Sequence, residues 1–67
     1  MIDVGKSLRV AMTLHDMQGV ELADHLNTSP QQVTIWRRSK SATFKTVKKL
    51  ADVFGLKISE FLVLGED

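Results

Sequence analysis

Apolar residues recur with a helical period in five stretches of the chain. Val4, Leu8 and Ala11, joined by Met12 and Leu14, form an inner stripe from Ile2 to about His15, while Lys6, Arg9 and Thr13 look outward. Asp16, Met17 and Gln18 then connect to a second, shorter helix on which Leu22, Ala23 and Leu26 follow the i, i+1, i+4 spacing of one face. A third runs from Pro30 to about Arg38 with Val33 and Trp36 inward, and a fourth from Phe44 to Phe54 with Phe44, Val47, Leu50, Ala51 and Phe54 on one side. A fifth, from about Lys57 to Leu62, completes an all-α pattern of five helices in one domain, residues 1–67.

The boundaries carry their own chemistry. Asn27 tolerates the left-handed conformation a helix C-terminus often needs, so it ends the second helix. Ser29 can cap free amides, and Pro30 lacks the donor that goes unused at the first helical position, so the third helix starts there. Thr43 is placed to cap the fourth helix and Gly55 to stop it, and Asp3 suits the dipole of the first. The centre of the pattern is therefore Gly19 to Arg38, two short helices joined by a tight turn.

The third helix has two chemically different faces. At about 100° per residue, the positions opposite Val33 and Trp36 are Gln31, Ile35 and Arg38, with Thr34 beside them. Gln pairs twice with an adenine edge, Arg does so with guanine or neutralises a phosphate, and Ile or Thr touches a thymine methyl. On an isolated helix the same residues are equally a solvated face, so the neighbouring positions decide between the two. Trp36, the single tryptophan, belongs to the core at this spacing rather than to a base-stacking platform.

Ala23, a turn at Asn27 and Val33 ten residues after Ala23 resemble the helix-turn-helix of the Cro and phage-repressor family, whose domains are lambda-repressor-like. Leu8 and Ala11 match the family's first helix, and Val47, Leu50, Ala51, Phe54 and Gly55 match its fourth helix and the following turn, so the resemblance covers nearly the whole chain. It implies a sequence-specific double-stranded DNA-binding transcriptional regulator, a repressor acting as a homodimer on a palindromic operator. Gln31, Thr34, Ile35 and Arg38 are then the base-contacting residues, and Gln18, Ser29, Arg37, Lys40, Ser41 and Lys45 contact phosphates. Four positions depart from the family. Members often pair an Arg at the position of Met12 with a Glu at that of Arg37; here an apolar Met12 fills the space and Arg37 is released to solvent or phosphate. Gly19 stands where a phosphate-contacting Gln is common, leaving Gln18 to stand in, and Pro30 replaces a base-contacting polar residue, which shifts weight toward DNA shape.

Charge strengthens this reading. The net charge is only +1, but Arg37, Arg38, Lys40, Lys45, Lys48 and Lys49 follow one another with no acid among them, while the rest of the chain holds three basic residues and eight acids. Composition sets the remaining limits. Sixty-seven residues bury only roughly 60% of their unfolded surface, and with no cysteine, packing alone stabilises the fold. The longest apolar runs are four residues and no secretory leader is evident, which leads us to expect a cytoplasmic protein without a membrane partner. His15 and His25 lie on different elements without further ligands, so no metal is expected, and the absence of a phosphate loop or matched carboxylates speaks against an enzyme, a cofactor or a small-molecule ligand.

Near the C-terminus, Phe61, Leu62, Val63 and Leu64 exceed what so small a body is expected to cover, and in the resembling family this region supports dimerisation. We expect these four residues at a dimer interface, with core packing as the competing reading. A protein-binding adaptor on the same fold is the alternative function, but an adaptor has no need of six unopposed cations beside a Gln-bearing helix.

Overall fold

The computed structural model describes residues 2–66. Its five helices are α1 (Val4–Leu14), α2 (Gly19–His25), α3 (Pro30–Arg38), α4 (Phe44–Val53) and α5 (Ile58–Val63). Extended pairing among the described residues is limited to one antiparallel bridge, Ile2 with Glu66, which ties the two ends of the chain together. α1 packs against α3 and α5, α2 against α3, and α4 against α5. Leu8, Ala11, Leu22, Val33, Leu50 and Phe61, together with their neighbours, form one core to which all five helices contribute. No helix among the described residues is long and apolar enough to cross a membrane.

Three helices end in the same way. In α1, α2 and α4 the chain turns through a left-handed residue, Asp16 (φ 49°), Asn27 (φ 54°) and Gly55 (φ 67°) respectively. The amide after each turn reaches back into the helix, Met17 to the Met12 carbonyl at 2.8 Å, Thr28 to Ala23 at 2.9 Å and Leu56 to Ala51 at 3.0 Å. The turn residue itself donates to Thr13, Asp24 and Asp52 respectively, completing the double hydrogen bond of a Schellman motif. Ser29 and Thr43 cap as expected, accepting from the amides of Gln32 and Thr46, and Asp3, expected only to suit the dipole of α1, also caps it by accepting from Lys6.

The N-terminus of α1 is satisfied by the protein itself. Four amides at a helix start have no intrahelical acceptor. Here Asp3 donates to the Gly65 carbonyl, Val4 to Lys40, Gly5 to Ser39 and Lys6 to the Asp3 carboxylate, all within 2.8–3.0 Å. The positive end of α1 thus meets carbonyls at and beyond the negative end of α3, and the two dipoles complement each other. The approach is close enough to require glycine: a Cβ at Gly5 would lie 2.6 Å from both the Arg37 and Ser39 carbonyl oxygens. On the neighbouring face, buried Ser7 donates its hydroxyl to the Leu62 carbonyl at 3.3 Å, and a Cβ at Gly65 would overlap the Asp3 carbonyl and that hydroxyl.

Three expectations, two from periodicity and one from the apolar C-terminus, need correction. Leu14 is 69% exposed, because it lies on the flank of the α1 stripe at the helix's last position, past the edge of the core. Phe44, the first residue of α4, is 70% exposed for the same reason at the opposite end of its stripe. Phe61, expected at a dimer interface, is fully buried; α5 lies against both α1 and α4, and its ring fills the space between them. It has no surface left to offer a partner. Leu62 and Leu64 are half-buried, and Val63 is exposed.

Gly5→Ala tests the junction. With no room between the helices, the added methyl should destabilise the fold by about 2 kcal/mol in denaturant unfolding. Gly19→Ala is the control, since its Cβ meets only the Val33 side chain at an ordinary 3.7 Å and should stabilise by about 0.5 kcal/mol. Equal effects from the two would show that the contact between α1 and α3 is not a constraint.

Candidate nucleic-acid interface

α3 is held on three sides and open on the fourth. Ser29 caps it, accepting from Gln32 N at 3.2 Å, and Pro30 occupies the first position. Val33 is buried where α3 meets α2, its side chain close to Gly19, and half-buried Trp36 packs against the core. The left-handed turn at Asn27 sets the direction in which the chain passes from α2 into α3.

The open face carries the residues expected there. Gln31, Thr34, Ile35 and Arg38 are all exposed, and Ile35 remains 56% accessible despite its size. An exposed β-branched residue between a carboxamide and a guanidinium serves no packing purpose, but it matches a surface that meets thymine methyls as well as polar base edges. The Thr34 hydroxyl donates to the Pro30 carbonyl at 3.2 Å, so toward solvent it presents its methyl group and an acceptor.

The residues expected to meet phosphates are spread over several places on the surface. Gln18, which precedes α2, and Arg37 both line an open cleft of about 630 Å³ between α1, the α1–α2 connection and α3. Glu21 accepts from the Gln18 amide at 3.0 Å and fixes the start of α2. Lys40 and Ser41 follow the C-terminal end of α3, lining a largely apolar groove with Ile2, Phe44, Ile58 and Leu62. Lys45 is exposed in the first turn of α4, and Ser29 is exposed at the start of α3. Lys48 is less free: it forms an exposed i, i+4 ion pair with Asp52 at 3.6 Å.

The position where the resemblance implies an Arg–Glu pair is rebuilt as the substitutions suggest. Met12 is buried and Arg37 is exposed, both on the wall of the larger cleft. His15 and His25 are exposed, the His15 ring tilted against Phe54 with centroids 5.1 Å apart. Among the described residues no three His, Cys, Asp or Glu side chains gather in a way that could hold a metal ion.

One residue at this surface was not singled out by sequence reasoning. Arg9 donates a guanidinium N–H to the Arg37 carbonyl, crossing from α1 to the last turn of α3. Its i, i+4 spacing from Gly5 puts the two on one face of α1, the face that meets α3. The spacing was legible, but which helix would lie against that face was not.

A family model described as a Cro/C1-type HTH DNA-binding domain matches residues 7–67. No curated protein and no solved structure matches the chain. The match takes in the capped α3, the turn at Asn27 and the helices that support them, and the chain belongs to the Cro/C1-type helix-turn-helix DNA-binding domains.

Proposed function

We propose that the protein is a sequence-specific transcription regulator of the cytoplasm, a repressor that binds a palindromic operator as a homodimer. The observation that carries this reading is the open face of α3, on which Gln31, Thr34 and Ile35 are exposed, followed in the chain by six cations with no acid among them. α3 enters the major groove, with Gln31 as the principal base reader and Thr34 and Ile35 beside it; Arg38 extends the same face. Ser29, Gln18, Arg37, Lys40, Ser41 and Lys45 hold the backbone on either side and set the register. Bound over a promoter, the protein excludes polymerase.

Size and surface support a dimer. The chain measures 28 × 20 × 20 Å, too short to present reading elements to successive major grooves about 34 Å apart, so a palindrome needs two copies. Leu62, Val63 and Leu64 supply the contact without Phe61, next to the apolar groove formed by Ile2, Phe44 and Ile58.

Two substitutions separate readers from clamps. Gln31→Ala should cost about 1–3 kcal/mol on the preferred site and relax one base position. Lys45→Ala should weaken binding to all duplexes alike and flatten the salt dependence by about one unit. Identical behaviour of the two variants across sites would contradict the division. For the dimer, Val63→Glu alters an exposed residue and should leave the fold intact while shifting sedimentation at micromolar concentration from dimer to monomer. A wild-type chain that sediments only as monomer without DNA would count against this interface.

A further inference from the structure

The chain has three arginines, and the fold brings all three to one place. Arg9 comes from α1, 28 positions before Arg37. Together with Arg37, Arg38 and Thr34 it lines an open cleft of about 260 Å³ between α1 and the last turns of α3. Among the described residues none of the six lysines lines this cleft, and neither does any acid. Asp16 faces the larger adjoining cleft, which Arg9 and Arg37 also border.

Three guanidinium groups around one small space repel one another. The negative end of α3 offsets part of this, and Arg9 is further anchored by its hydrogen bond to the Arg37 carbonyl. No carboxylate in the cleft offsets the rest. The choice of side chain also points to a ligand class. A lysine is a compact point charge, whereas a guanidinium presents a planar fork that matches two oxygens of a phosphate. The lysines of this chain are spread over its surface, and every fork is gathered here.

We infer that Arg9, Arg37 and Arg38 form a single clamp for one phosphate group, supplied by the backbone of duplex DNA. This rests on the DNA-binding reading and extends it in two ways. It makes Arg9 a DNA-contacting residue of α1, and it turns Arg38 from a base edge to the backbone. Direct reading is then left to Gln31, Thr34 and Ile35, and the α1–α3 contact that positions the reading helix also holds the phosphate beside it.

The test is the salt dependence of duplex binding by Arg9→Gln, Arg38→Gln and the wild-type chain, with unfolding of each measured in parallel. Arg9→Gln should weaken binding roughly tenfold on every sequence and flatten the slope of log K against log salt by about 0.9. Arg38→Gln should do the same without changing the preferred bases. An unchanged slope for Arg9→Gln, with any loss of affinity tracking a loss of stability, would reduce Arg9 to a structural strut and overturn the clamp. A change in preference at one base position in Arg38→Gln would return Arg38 to the readers. A second arm needs no DNA: inorganic phosphate is titrated at constant ionic strength while the three arginine Nε–Hε signals are followed by NMR. The clamp requires them to shift together along one saturation curve, and signals that stay still overturn it. Joint shifts in a chain that binds no duplex would support the phosphate site while refuting DNA as its source.

Discussion

The contact between the start of α1 and the end of α3 governs the arrangement of the molecule. The amides of Val4 and Gly5 donate to the Lys40 and Ser39 carbonyls, and Gly5 is the only kind of residue that permits the approach. Because α3 is nine residues long, its direction cannot be set by its own stability. It is set by α2 beneath it, through Val33, and by α1 at its far end. The same α1 terminus reaches the other way, to the Gly65 carbonyl, and buried Ser7 reaches the Leu62 carbonyl, so α5 is tied to the point that aims α3. In so small a domain, whose total stability is only a few kcal/mol, satisfying all four free amides of one helix with fixed acceptors is a substantial part of what specifies a single structure.

The elements themselves were legible because their ends are written in residues with narrow physical roles. Ser29-Pro30, Thr43, Asn27 and Gly55 each do what their backbone chemistry favours, and α3 begins and ends where its sequence says. Asp16 was harder to read. Asp adopts the left-handed conformation less readily than Gly, and nothing local distinguishes it from an ordinary loop acid, yet it ends α1 in the same way as Asn27 ends α2. Periodicity misplaced Leu14 and Phe44 because a stripe gives direction and not extent: both point near the core from positions where the core has run out. Phe61 failed in the opposite sense. Its composition-rich neighbourhood suggested surplus apolar surface, but α5 docks so that its one aromatic ring closes the core, leaving Val63 outside.

At the candidate interface the open face of α3 could be read from angles alone, since Gln31, Thr34, Ile35 and Arg38 stand opposite Val33 and Trp36 on a rigid helix. The cations of residues 37–49 could be counted but not placed. Folding sorts them into Arg37 and Arg38 beside α1, Lys40 next to an apolar groove, Lys45 on the first turn of α4, and a Lys48 paired with Asp52. Arg9 joins them from the far end of the sequence through packing that no local pattern encodes. Charge segregation along the chain thus pointed to where cations are concentrated, and tertiary contacts decide which of them stand together.

The claim on which the account turns is that the α3 face reads bases in the context of a dimer. Selection of binding sites from a pool of randomised duplexes at moderate salt addresses it directly. A dimeric reader should enrich a palindrome whose half-sites are centred about 34 Å apart, one helical turn. A pool that shows no enriched sequence after repeated rounds, despite retention of DNA, would contradict it and leave only a basic surface with no reading function.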